Sequence, residues 1–213
     1  MTAFEDIPAG ARVVASFAAS ALALQALGSL FEGADPIPFA WWLARALGFV
    51  AYGALWASIL SGLAMSAKGG GLFDLKWVLD IHQETTLMAV IASVMHATVM
   101  VVDSASGVSP LAVLVPFASA RLTGPVTIGT LALLGLGVVA LTSWMRARVG
   151  VKVWRAVHAA AFGVWLLGLL HGVYAGSTNG ALVSLIYVAS GGLVAGAMAW
   201  RVAMTAAQAE AGS

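Results

Sequence analysis

The chain has 213 residues, 61% of them hydrophobic and 9% charged, with a mean hydropathy of +0.97. Soluble domains carry about 25% charged residues, so this composition excludes a water-soluble globular protein; a formal net charge of +1 without a basic run gives nucleic acid no footing. The absence of cysteine excludes disulfides, thiolate-ligated clusters, thiol catalysis and c-type haem attachment, and leaves histidine as the leading ligand for any cofactor.

Residues 1–10, MTAFEDIPAG, are acidic and lack the basic region of a signal peptide, so they read as a cytoplasmic segment ahead of a retained helix. Apolar windows follow at 11–31, 41–66, 77–102, 125–147, 153–176 and 181–202, broken by charged or Gly/Pro clusters. Each is long enough to cross roughly 30 Å of hydrocarbon. The expectation is an all-α, polytopic bundle of six transmembrane helices over 11–202, with a short tail at 203–213. An even number of crossings returns both termini to one side. Arg12, Lys68, Lys76, Arg146, Arg148, Lys152, Arg155 and Arg201 fall on that side and only Arg45 and Arg121 on the other, which places both termini in the cytoplasm and the chain in the inner membrane. Trp41, Trp42, Trp77, Trp144, Trp154 and Trp200 lie near predicted ends, as interfacial anchors. Between Asp103 and Gly124, LAVLVPF is too short to span and reads as a re-entrant or surface-lying piece on the outer face.

The chain has four histidines, and all lie in two windows: His82 and His96 in the third, His158 and His171 in the fifth. These windows cross in the same direction, so His82 lies level with His158 and His96 with His171. Fourteen residues of helix rise about 21 Å, which puts the two levels toward opposite leaflets. Each level offers two neutral imidazoles that can ligate iron from opposite faces of a porphyrin, in the apolar surround a macrocycle requires. Cross-helix hydrogen bonding is the plainer reading for any single histidine. Four at two matched levels favour ligation, because ionisable residues in lipid are costly. A zinc or copper site would lack a tetrahedral set and would not explain a second level. At about 100° per residue the 13-residue step from His158 to His171 turns about 220°, so the fifth helix must be distorted, near Gly163 or Gly168, or its two sites offset around it.

The histidine spacing, with LARALGFVAYGALWASILSGLAMS, LVPFAS and WRAVHAAAFGVWLLGLLHGVYAGSTNG, resembles the ferric reductase-like transmembrane domain over roughly residues 41–202. That family includes the membrane core of NADPH oxidases and ferric reductases, and stand-alone haem-binding membrane subunits. The resemblance implies a six-helix bundle holding two b-type haems, the inner on His82 and His158 and the outer on His96 and His171, and carrying electrons outward. It also implies that one haem is an alternative, since stand-alone subunits need not fill both levels. Oxidase members continue into a flavin and nicotinamide domain, whereas this sequence ends at Ser213. A flavin is thus expected only through a partner or at the cytoplasmic face.

Arg155 and Arg45 are candidates to clamp the inner and outer haem propionates. Asp80 and Glu84 flank His82, where a carboxylate could orient its ring, serve a proton or quinone site, or pair with a nearby cation, the simplest reading. Trp165 falls midway between His158 and His171 and reads first as packing. GGG at 69–71 reads as a turn, Gly135, Gly137 and Ala140 as a chance GxGxxA, and Gly192 and Gly196 as close helix packing. The expected function is di-haem electron transfer from a separate donor protein or quinol to an outer acceptor, as the lipid-embedded subunit of a larger oxidoreductase. Alternatives are a ferric or oxygen reductase acting at its own outer haem, with Arg121 shaping the acceptor site, and a structural subunit of a membrane complex.

Overall fold

Hydrocarbon offers backbone amides and carbonyls no partners, so a lipid-spanning segment must satisfy them within itself, and a helix does this. The computed structural model describes residues 39–66, 74–176 and 180–211, and among these all regular structure is helical. In chain order the helices are α1 (Phe39–Ser66), α2 (Leu75–Val102), α3 (Pro110–Leu114), α4 (Thr123–Trp144), α5 (Arg146–Val149), α6 (Val151–Ala159), α7 (Ala161–Ala175) and α8 (Ala181–Ala211). Among the described residues five stretches, Phe39–Ser66, Leu75–Val102, Thr123–Trp144, Val151–Ala175 and Ala181–Ala207, are long and apolar enough to cross a membrane, the pattern of a multi-pass membrane protein. The segment 1–10, the window 11–31, Arg12, Lys68 and the glycine run at 69–71 lie outside the described residues.

Local chemistry sets the boundaries. Asp74 caps α2 by accepting from the Lys76 amide, and Ser109 caps α3 ahead of Pro110 by accepting from the Ala112 amide. α3 takes in the first four residues of LAVLVPF. Thr130 donates to the Ala112 carbonyl at 2.7 Å and the Phe117 amide to Thr127 at 2.9 Å, which ties this piece to α4 while Leu111, Leu114 and Phe117 stay exposed. The fourth window breaks sooner than expected, at Trp144, and Gly150, with φ at 83°, separates α5 from α6. The last window extends further than expected: α8 continues to Ala211, through most of the predicted tail.

The distortion expected of the fifth window is present, but at Ala160 rather than at Gly163 or Gly168. There the amide bonds the Val157 carbonyl at 3.0 Å, an i to i−3 closure, and α7 restarts with the Val164 amide on the Ala160 carbonyl. A 3₁₀ turn winds about 120° per residue against about 100° in an α-helix. The tightening therefore carries His171 toward the face of His158.

The most extensive helix pairing is α1 with α2, followed by α4 with α7. Buried small residues, Ala44, Ala54, Ser58 and Ser61 on α1 and Ala89 and Ala92 on α2, let the first pair approach closely. Leu136, Val139 and Val164 form a cluster joined by Leu55 and Val90, and Tyr52, Ile59, Leu63, Trp165 and Val194 form a second between α1, α7 and α8. Leu136→Ala, at a site 5% exposed, should destabilise the protein by about 2 kcal/mol or more through the cavity it leaves, and Leu134→Ala, at 39%, by far less. Reversible unfolding in mixed micelles reads the difference.

Candidate functional site

The bundle brings the four histidines together in two pairs. The rings of His82 and His158 have centroids 6.0 Å apart at 67°, and those of His96 and His171 are 6.1 Å apart at 79°. His82 and His96 come from α2, His158 from α6 and His171 from α7, as the level-matching expected.

Three imidazoles are held by one device. His96 Nδ1 donates to the Ala44 carbonyl at 2.7 Å, His82 Nδ1 to the Ser58 carbonyl at 2.9 Å, and His171 Nδ1 to the Pro125 carbonyl at 2.9 Å. A carbonyl can only accept, so each Nδ1 carries the proton and each Nε2 keeps a lone pair. A helical carbonyl already accepts from the amide four residues on, and the imidazole takes its second lone pair. It arrives beside the residue four positions on, and in all three cases that residue is glycine: Gly48, Gly62 and Gly129. A Cβ would sit 3.4 Å from His96 at Gly48, 3.4 Å from His82 at Gly62, and only 2.6 Å from His171 at Gly129.

The fourth imidazole departs from this. His158 Nδ1 meets Ser143 Oγ at 3.3 Å, and Ser143 donates its proton to the Val139 carbonyl at 2.7 Å, leaving its oxygen to accept. Ser143 lies fourteen residues after Gly129 on α4, just as Gly62 lies fourteen after Gly48 on α1. A serine thus stands where the pattern has glycine. Trp154 adds a second donor, its Nε1 to Ser143 Oγ at 3.3 Å, and its ring stacks on His158 at 5.1 Å and 30°.

The spacing within each pair suits one metal ion between two rings. Two metal–nitrogen bonds of about 2 Å, with roughly 1 Å from each nitrogen to its ring centre, sum to about 6 Å. Among the described residues no group of three or more His, Cys, Asp or Glu could hold a metal. The remaining donors would have to arrive with the ion, as those of a planar chelate do.

Other expected residues fall less close to the rings. Arg45 lies one residue from the carbonyl that holds His96, with its guanidinium over Trp41 at 4.9 Å, Phe49 at 5.9 Å and Trp42 at 6.0 Å. Arg155 is exposed on α6. His82 Nδ1 is taken by the Ser58 carbonyl with the Ser58 and Ser61 hydroxyls nearby, and Asp80 is exposed. Trp165 packs in the cluster with Tyr52, and among the described residues its Nε1 has no hydrogen-bond partner. Among the described residues a Cβ at Gly192 or Gly196 would meet nothing within 4 Å, whereas close packing is present at Gly172, beneath the Tyr187 hydroxyl. Reading for ligands alone passes over Gly48, Gly62, Gly129 and Ser143, although their fourteen-residue spacing repeats that of His82 and His96.

A family model described as a domain of unknown function (DUF8596) matches residues 39–178. The chain belongs to this family. The DUF8596 span takes in all four histidines, the three glycines and Ser143, and ends before α8. No curated protein and no solved structure matches the chain. Within the DUF8596 domain, Gly129→Ala should cost about 1–3 kcal/mol by forcing His171 aside. Gly53→Ala, where a Cβ meets nothing within 4 Å among the described residues, should be neutral or stabilising by up to about 1 kcal/mol. Thermal unfolding of the two variants beside the parent checks both.

Proposed function

We propose that this protein is a di-haem, b-type membrane cytochrome that conducts electrons across the bilayer as a subunit of a larger oxidoreductase. The observation that carries the reading is the pair of imidazole pairs, each about 6 Å apart with its outer nitrogens engaged by neighbouring helices. Metal-binding histidines as a class fix the second ring nitrogen in this way, which orients the ring and raises its basicity. Bound there, haem supplies reversible one-electron chemistry at iron.

The rest is done by the chain. His82 and His158 hold one group and His96 and His171 the other, each presenting Nε2. Gly48, Gly62 and Gly129 let the rings seat against helix backbone. Leu55, Leu136 and Val164 fill the layer between the levels and keep water and ions from following the electron. Lys76, Arg146, Arg148, Lys152 and Arg155 lie toward the helix ends nearest His82 and His158, which supports a cytoplasmic placement of that end. The apolar run at 11–31 is long enough to supply the sixth crossing of this reading, in the inner membrane. Arg45 and Arg155 remain the candidates for propionate contacts. The donor is a separate protein or a quinol, with any flavin carried by that partner, and the acceptor lies outside. Reduction of a metal chelate or oxygen at the outer level is less well supported, since Arg121, assigned to the acceptor, instead donates to the Ala105 carbonyl at 3.1 Å and ties down its own loop.

Purified in mild detergent, the parent should carry about two low-spin b haems per chain, and His96→Ala and His158→Ala should each lose one. Haem in neither parent nor variants, or full occupancy in both variants, would overturn the ligand assignment.

A further inference from the structure

Three imidazoles follow one rule and His158 does not, and the residues that make the exception form a connected group. Ser143 replaces the glycine; its oxygen accepts from His158 at 3.3 Å and from Trp154 Nε1 at 3.3 Å while its proton goes to the Val139 carbonyl at 2.7 Å. Trp154 lies nearly parallel to His158, and the Arg146 guanidinium sits 4.3 Å above the Trp154 ring. Neither Ser143 nor Trp154 is needed to bring the two rings together, since the His96 and His171 pair reaches almost the same separation without such residues.

We infer that Ser143, assisted by Trp154, is a positioning residue that makes the His82–His158 level electrochemically distinct from the His96–His171 level, by holding His158 through a hydroxyl relay in place of a direct carbonyl contact. The inference rests on the di-haem reading and deepens it. A ligand imidazole becomes more basic, and stabilises the oxidised metal more, as its outer N–H is more strongly accepted. Direct carbonyl acceptance at 2.7–2.9 Å holds the other three rings. His158 has a longer contact to an oxygen it shares with an indole N–H. It is therefore the weaker donor to iron, and the positive charge of Arg146 beyond the indole acts in the same sense by favouring the reduced form. The level nearest the cationic helix ends, where electrons enter in the proposed direction, is thereby the better electron acceptor of the two.

The test is a potentiometric titration of the purified holoprotein, followed by optical and paramagnetic resonance spectra, for the parent and for Ser143→Gly, Ser143→Thr and Trp154→Phe. His158→Ala first identifies which redox component belongs to that level. Ser143→Gly opens the Val139 carbonyl to His158 and should lower the midpoint of that component alone, at unchanged haem per chain. Trp154→Phe keeps a ring on the imidazole but removes the competing N–H, so it should shift the same component downward by less. Ser143→Thr, which retains the hydroxyl, should leave both components in place. If Ser143→Gly does not fold, Trp154→Phe decides alone. Unmoved midpoints in a haem-loaded parent and its variants, or a shift confined to the component that survives in His158→Ala, would overturn the role of Ser143 and leave the di-haem reading intact. A parent without haem would overturn both.

Discussion

The arrangement depends on a hydrogen bond from an imidazole N–H to the second lone pair of a helical carbonyl. In hydrocarbon an unsatisfied polar group costs several kcal/mol, so a histidine there needs a partner for its proton. A carbonyl serves as that partner only if the ring can lie against the backbone, and the side chain that would block it belongs to the residue four positions on. Glycine at 48, 62 and 129 removes the obstruction. One bond thus fixes tautomer, ring orientation and the identity of a residue on another helix.

The same requirement explains the helix order. α2 is antiparallel to α1, with His96 at Gly48 and His82 at Gly62; α4 is antiparallel to α6 and α7, with His171 at Gly129 and His158 at Ser143. Each histidine-bearing segment is backed by a helix that offers small residues at the same fourteen-residue interval. Midway along that interval lie Leu55 on α1, Ala89 on α2 and Leu136 on α4, which separate the two levels with apolar packing. Ala89, wholly buried, leaves room where a larger side chain would push α2 outward.

Much of this was legible in the sequence, because hydrophobic length reports lipid-spanning helices and the matched histidine steps report levels. The windows at 41–66, 77–102 and 153–176 correspond closely to α1, α2 and the α6–α7 pair. The 13-residue step called for either a break in the fifth window or two sites offset around it, but twist arithmetic cannot locate a break, and glycine was the wrong guide: a tightened turn at Ala160 needs no special backbone freedom. The glycine supports were hidden for a different reason. Membrane helices use glycine widely for packing, so Gly48 and Gly129 look like Gly53 or Gly192 until the partner helix is in place. Trp154 was read as an interfacial anchor from its position near a helix end, and its stacking on His158 depends on the turn at Gly150 that folds α6 back along α4.

Conduction across the bilayer is the claim on which the account stands, and reconstitution measures it directly. Protein in sealed vesicles, with ferricyanide trapped inside and an impermeant reductant outside, should discharge the trapped oxidant. Vesicles carrying a variant that lacks His96 should not. Trapped ferricyanide that stays oxidised beside a haem-loaded, externally reduced parent would contradict the account.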